Sequence, residues 1–228
     1  MPRTARLSAG NVCYHVTNRG NGGDDVFLDQ TDYEEFVALI ENASARHRMR
    51  VLSYVLLPNH FHLVLWPSGD GDLSKWMQWL MTAHVRRCHQ RYQTSGHIWQ
   101  GRFKAFPIEQ DEHLLDVYHY IERNPVRLKL VKQPADWHYS SLDAWHTNAQ
   151  LSCMDEGPHA RPANWRTKVK KPLTKEQLAA LRNCVRRGAP HGEPSWVAKT
   201  ATKLNLESSL RPRGRPPKAS ADQASKAR

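Results

Sequence analysis

Between residues 50 and 66 the chain reads RVLSYVLLPNHFHLVLW, two apolar runs broken by Pro58 and Asn59. Runs of this length, closed by turn residues, predict two strands joined as a hairpin, over 50–58 and 58–66. Side chains alternate across a strand, so Phe61, Leu63 and Leu65 share one face and His60 and His62 the other. The apolar trio can line a core. The imidazoles then stand side by side on the opposite face, roughly 7 Å apart along the strand.

The same reading extends along the chain. NVCYHVTNRG (11–20) alternates as a strand, with Val12, Tyr14 and Val16 on one face and Cys13, His15 and Thr17 on the other. NRGNGGDD is a Gly/Asn-rich loop. Phe36, Leu39, Ile40 and Ala43 form the apolar stripe of a helix over 31–47, with Thr31 as N-cap and Glu34 completing a capping box. Leu73, Trp76, Met77, Leu80 and Ala83 give a second helix over 72–92, whose stripe is interrupted by His84 and whose end is basic. Residues 95–110 begin as a loop and become a fourth strand. A third helix spans 111–124, capped by Asp111 and stopped before Pro125. The order β-α-β-β-α-β-α makes this an α+β chain. Its first six elements predict a ferredoxin-like (RRM-like) antiparallel sheet with helices on one face. The third helix would lie against or beside the other face, where the central strands carry function.

From about residue 146 the texture changes. Residues 146–172 read as a linker. LTKEQLAALRNCVRRG (173–188) and SWVAKTATKLNL (195–206) read as amphipathic helices of a small basic module over 173–210. The pair fits a helical module on DNA or a docked helical hairpin. Residues 211–228 form a basic tail that is extended through RPRGRPPK and disordered beyond it. Arg211, Arg213 and Arg215 in that tail suit a narrow minor groove, or belong to a solvated tail.

Charge sharpens this division. Residues 161–228 hold 17 of the 33 Lys and Arg but 4 of the 22 Asp and Glu, so the body is near neutral and the excess lies at the C-terminal end. That distribution suits a polyanion binder. The 228 residues suffice for one domain, here residues 1–145, and an appended segment. No apolar stretch approaches the ~20 residues of a membrane span, and the N-terminal MPRTARLSAG lacks the apolar core of a signal peptide. Cys13, Cys88, Cys153 and Cys184 are scattered, which argues against a disulfide framework or zinc knuckle and fits a reducing cytosol.

The third helix bears on the two histidines. VYHYIERNPVR places Tyr120 and Asn124 at i and i+4, on one helical face. If that face looks at the histidine strand, two imidazoles and an amide oxygen can hold a divalent cation and leave the tyrosine free as a nucleophile. A tyrosine that attacks a phosphodiester stores the bond as a phosphotyrosine ester, which a later hydroxyl can reseal without ATP. A phenol, with pKa near ~10, needs help at neutral pH, and a metal on the scissile phosphate gives it. Mixed N/O ligands suit Mg²⁺ or Mn²⁺.

YVLLPNHFHLVLWP, SGHIWQGRFKAFPI and YIERNPVRLKLV, in this order, resemble the REP-associated tyrosine transposases. These are HUH endonucleases, relatives of the single-tyrosine transposases of small bacterial insertion sequences. The resemblance covers about residues 7–145, and the basic end with GRPPK is similar too. It implies that His60 and His62 bind the metal. Tyr120 would form a 5′-phosphotyrosine link and free a 3′-hydroxyl, and Asn124 would complete the metal site. It implies single-stranded DNA hairpins of repeated extragenic palindromes as partner, and DNA transposition or mobilisation in the bacterial cytoplasm, at the nucleoid. Related enzymes act as dimers, while the basic extension is compatible with a monomer, and both states stand open. Relatives often carry a basic residue soon after the NRG turn; this chain has NGGDD.

Several neighbours have competing readings. Tyr118 points to a different helix face and is expected to pack. His119 is expected at the surface, and His15 to pack or hydrogen-bond. Trp76 and Trp99 could stack on bases but suit a core. Asn18, Arg19, Arg102 and Lys104 are candidate phosphate contacts. The alternative to the enzyme is a non-catalytic hairpin-DNA or RNA-binding protein or repressor on the same sheet, which has no use for both histidines, Tyr120 and Asn124 together.

Overall fold

The computed structural model describes residues 8–147 and 150–211. Its centre is a four-stranded sheet of β1 (Cys13–Arg19), β2 (Met49–Leu57), β3 (His60–Pro67) and β4 (Lys104–Ile108), in the order β2-β3-β1-β4. Every neighbouring pair is antiparallel. This is the expected ferredoxin-like sheet, with the hairpin strand β3 paired to β1. β4 is shorter than the expected run over 95–110, where residues up to Phe103 stay outside the strand.

The helices α1 (Gln30–Arg46) and α2 (Asp72–Tyr92) cover one face. Phe36, Leu39, Ile40, Trp76, Met77 and Leu80 pack there on Tyr14, Val16, Phe61, Leu63 and Leu65. The stripe positions of the sequence therefore meet the apolar strand face. His84 continues that stripe as a buried residue, edge-on to Phe36 with ring centroids 4.9 Å apart. The N-cap of α1 is Asp29, whose carboxylate accepts from the Asp32 N–H at 3.1 Å, in place of the expected Thr31. An aspartate two residues upstream gives the same capping bond two positions earlier.

The second face is covered as well. α3 (Glu112–Glu122) lays Leu114, Val117, Tyr118 and Ile121 on Cys13, Leu52, Val55, Val64 and Phe106. Pro125 lacks an N–H, and the helix breaks at Arg123 before a short turn, α4 (Asn124–Arg127). α5 (Ser141–Thr147) follows at the end of the body. Residues expected to form a linker are packed structure. Leu151 is buried, and α6 (Trp165–Lys170) buries Trp165 and Val169 against α3. α7 (Lys175–Arg187) adds Leu181 and Cys184 to the same cluster. α8 (Pro194–Lys203) and α9 (Glu207–Leu210) complete the described extension.

Both sheet edges carry backbone partners from outside the strands. Val51 N–H donates to Cys153 O at 2.9 Å on the β2 edge, and His191 N–H donates to Pro107 O at 2.9 Å on the β4 edge. Covered edges leave few unpaired groups for a foreign strand. A bulge between Val51 and Ser53 turns both Leu52 and Ser53 toward α3. Ser53 there meets Glu122, which is fully buried. Glu122 accepts from Arg161 at 2.9 Å, Ser141 at 2.8 Å, Ser53 at 3.2 Å and Trp165 Nε1 at 2.7 Å. One carboxylate thus joins β2, α3, α5 and the 161–165 segment. Removing it leaves the Arg161 charge buried without its partner. Glu122→Ala is expected to lower stability by about 3–5 kcal/mol, read by urea denaturation. A loss under about 1 kcal/mol would show that the network holds nothing together.

Candidate active site

β3 runs antiparallel to β1, so Arg19 pairs with His60 and Thr17 with His62. That register brings the ends of both strands to one cleft. The cleft measures about 660 Å³ and is lined by Asn18, Arg19, His60, His62, Lys104, Tyr120 and Arg127, among others. His60 and His62 stand edge-on, with ring centroids 5.1 Å apart. α3 delivers Tyr120 from the opposite side, its ring 5.8 Å from that of His62. The structure therefore places both histidines and this tyrosine together.

Hydrogen bonds orient each imidazole. Asn59 Nδ2 donates to Gly23 O at 3.0 Å, which turns its Oδ1 toward His60 Nδ1, 2.6 Å away. His60 then carries its proton on Nδ1 and keeps a lone pair on Nε2. His62 Nδ1 lies 2.9 Å from His15 Nε2, inside the sheet. With the proton on His62 Nδ1, His62 also offers Nε2, which is buried and has no partner among the described residues. Two imidazoles held through Nδ1 with free Nε2 atoms are the arrangement a metal site needs. The orphaned Nε2 and the neutral, nitrogen-rich setting fit a divalent cation at His60 and His62. His15, expected to pack or hydrogen-bond, is the group that holds His62.

Asn124 takes a different position from its two expected partners. It is fully buried and does not line the cleft. Its Oδ1 accepts from Arg127 Nε at 3.1 Å and from Arg127 Nη2, and its Nδ2 has no partner. Arg127, which lines the cleft beside Tyr120, holds the Asn124 side chain and joins it to the site. Arg127, which the sequence reading passed over, enters the cleft, with its guanidinium 5.7 Å from the Tyr120 ring. Its place three residues after Asn124 was the available signal.

The rival tyrosine is closed off. Tyr118 is fully buried, its hydroxyl has no partner, and the Arg161 guanidinium covers its ring at 4.1 Å. Burial pushes its phenol well above the ordinary tyrosine range. Tyr120 is 7 % exposed and faces the cleft. His119 is half-buried and donates to Lys171 O at 2.7 Å, docking α3 to the chain after α6. Trp76 and Trp99 both belong to the core under α1 and α2.

The candidate phosphate contacts divide between two places. Asn18 and Arg19 line the cleft, although Asn18 also anchors the strand end by donating to Gly101 O at 3.0 Å. Lys104 lines both the cleft and a neighbouring groove of about 810 Å³, which Arg102, Arg186 and Arg187 share. Arg187 is engaged with the carbonyls of Ser208, Ser209 and Arg211, so Arg211 ends beside that groove. Arg213 and Arg215 lie outside the described residues. Asp25, from the NGGDD loop, also lines the cleft. Gly20, just before that loop, has no room for a side chain, since a Cβ would stand 2.1 Å from Asp24 O.

Residues 8–124 match the family model described as "Transposase IS200 like". The REP-associated tyrosine transposase of Escherichia coli (strain K12) is 28 % identical over 114 residues, covering 49 % of this chain and 66 % of that relative. The chain thus matches just under two thirds of the curated relative's length. A solved REP-associated tyrosine transposase bound to a REP hairpin is similar with a TM-score of 0.55 at 21 % identity, covering 76 % of this chain and 93 % of that one. At that identity the likeness concerns the fold.

Burial sets the protonation of the site. It lowers His60 to about 4, helped by Arg127 and Arg19, and His15 to about 3. His62 is also held well below 6.5 by burial and by its neighbouring histidines. His84, outside the site, is lowered to about 4 by burial. An unfolded chain takes up these protons near 6.5 and the folded chain only near 3–4. The folded state therefore binds fewer protons in that window, and stability falls as pH drops through it. The urea midpoint of metal-free protein is expected to decline steadily from about pH 6.5 to about pH 4.5. A midpoint that holds or rises on acidification would contradict buried neutral histidines.

Proposed function

The chain belongs to the IS200-like transposase family, and on that footing we propose that it cuts and rejoins single-stranded, hairpin-bearing DNA through Tyr120. The observation that carries this reading is the meeting of Tyr120 with His60 and His62 in one basic cleft. The hairpin bound in the structure of the REP-associated enzyme supports repeated extragenic palindromes as the substrate class.

In this reading Tyr120 Oη attacks the scissile phosphorus as its own proton leaves. The bond from phosphorus to the 3′-oxygen breaks, and that oxygen departs as a 3′-hydroxyl. The 5′ phosphate stays on the tyrosine, so the number of phosphoester bonds is unchanged. Attack by a 3′-hydroxyl runs the same exchange in reverse and reseals a strand without an external energy source. A divalent cation, Mg²⁺ or Mn²⁺, at His60 and His62 would polarise the scissile phosphate and align it. Asn124 joins those ligands only where Arg127 gives up its Oδ1. Arg19, Lys104 and Arg127 hold the DNA backbone in the cleft, and Arg102 and Arg186 extend that positive surface along the groove. The protein would act where its DNA is, in the bacterial cytoplasm at the nucleoid.

The two roles separate experimentally. His60→Ala and His62→Ala, and EDTA on the unaltered protein, are expected to lower cleavage of a labelled hairpin oligonucleotide by about 100-fold or more. Hairpin affinity at fixed salt should stay within a few-fold, since the basic side chains remain. Full cleavage by the His62→Ala variant would overturn the metal-assisted reading. Tight binding with no cleavage by the unaltered protein, on hairpins from its own genomic neighbourhood, would leave a hairpin-binding protein.

A further inference from the structure

The cleft beside Tyr120 is lined mainly by polar and basic side chains, with one apolar patch that stands open. Among the described residues the exposed large apolar side chains are Leu28, Leu128, Leu130 and Leu210, and Leu128 and Leu130 both line this cleft. Each of the two is 39 % exposed. Pro58 and Val185, the other apolar residues of the lining, are half-buried. Attack on phosphorus needs no apolar side chain, and neither does the grip of the arginines on a DNA backbone. The leucines therefore answer to some other part of the substrate.

The backbone fixes where both side chains leave the chain. Leu128 N–H donates to Asn124 O at 3.0 Å, Lys129 N–H to Val126 O at 3.0 Å and Leu130 N–H to Pro125 O at 2.9 Å. The last two bonds are those of a Schellman cap on α4, with Lys129 in the left-handed region at φ 61°. Glycine is the usual residue there, because a side chain in that conformation is strained. The stretch from Arg127 to Leu130 thus accepts a strained lysine and sets one leucine on each side of it at the cleft wall.

The neighbouring charges indicate what covers them. Arg19, Lys104 and Arg127 draw a polyanion into the cleft. The phosphates and sugars of that polyanion are polar, so the base faces are the part an apolar side chain can cover. A duplex keeps those faces stacked, whereas a single strand offers them. Arg127 stands beside the Tyr120 ring, its guanidinium 5.7 Å away, and Leu128 is the next residue. A strand whose phosphate meets Arg127 and Tyr120 brings an adjoining base to the leucines, where apolar surface leaves water.

We propose that Leu128 and Leu130 form a shelf for an unpaired base beside the scissile phosphate, through which a cleft open to any polyanion selects single-stranded DNA. The inference rests on the reading of this cleft as the place where Tyr120 cuts DNA.

The test pairs changes in the protein with changes in the DNA. Full-length protein and its Leu128→Ser/Leu130→Ser variant are titrated at fixed salt with hairpin oligonucleotides from the genomic neighbourhood, in which one flanking nucleotide at a time lacks its base. EDTA is present, so binding is read without cleavage. The unaltered protein is expected to lose about 5- to 10-fold in affinity at one or two abasic positions. The serine variant should bind the intact flank more weakly by a similar factor and lose less than about 2-fold further at those positions. Leu128→Met/Leu130→Met, which keeps the apolar surface, should restore the sensitivity to the missing base. Equal losses in the unaltered and serine proteins would overturn the shelf. So would an unaltered protein indifferent to every abasic position, a result that stands even where the serine variant misfolds. Equal losses together with a changed oligomeric state of the serine variant would give the leucines to a protein interface instead. Covalent capture at Tyr120 is read separately in Mg²⁺ or Mn²⁺, so loss of the shelf leaves cutting intact, and loss of cutting leaves the coupling between base and leucines measurable.

Discussion

His15 and His62 share a 2.9 Å hydrogen bond across the two central strands, inside a sheet that is covered on both faces. That bond settles which nitrogen of His62 is left to act. It exists because β1 and β3 pair in a register that sets His15 opposite Val64 and Thr17 opposite His62. A slip of one residue would send every side chain of β3 to the other face. His62 would enter the apolar layer under α1 and α2, and Phe61 would take its place in the cleft. The packing of Phe61, Leu63 and Leu65 therefore does two things at once, holding the fold and aiming the imidazoles.

The far side of the cleft depends on α3, and α3 depends on the extension. Val117, Tyr118 and Ile121 press it onto the sheet, while Glu122 ties it to β2 and to Arg161 and Trp165. Arg123 adds a bond to Val169 O at 3.0 Å, and Gln177 reaches Asp116 at 3.1 Å. The residues after 150 thus act as the outer layer that holds the tyrosine helix in place. The same layer brings Val185 and Arg186 to the cleft and groove, so the excess positive charge of the C-terminal end borders the site.

Much of this was legible from residue patterns. The two-residue period through 60–66 gave the face of each histidine, and the stripes of α1 and α2 met the apolar face as read. Asp111 and Gly188 marked real helix ends. Periodicity failed where tertiary contacts decide. Residues 150–172 look like a loop because their buried anchors are few: Leu151 stands alone, and Trp165 and Val169 belong to a helix of only six residues. The buried bond between His15 and His62 joins residues 47 positions apart, which no local pattern encodes. Asn124 and Arg127 were both visible, but the i,i+4 spacing to Tyr120 does not show that Arg127 occupies the Asn124 amide oxygen. The tail arginines Arg213 and Arg215 lie beyond the described chain.

The central claim is that Tyr120 becomes covalently joined to DNA while Tyr118, two residues away, stays packed in the core. The most direct test runs labelled hairpin DNA with the unaltered protein, Tyr120→Phe and Tyr118→Phe on a denaturing gel, in Mg²⁺ or Mn²⁺. A shifted protein–DNA band is expected for the unaltered protein, and for Tyr118→Phe wherever that variant folds. The band should be absent for Tyr120→Phe, which should still bind the hairpin. An adduct formed by Tyr120→Phe would contradict the account.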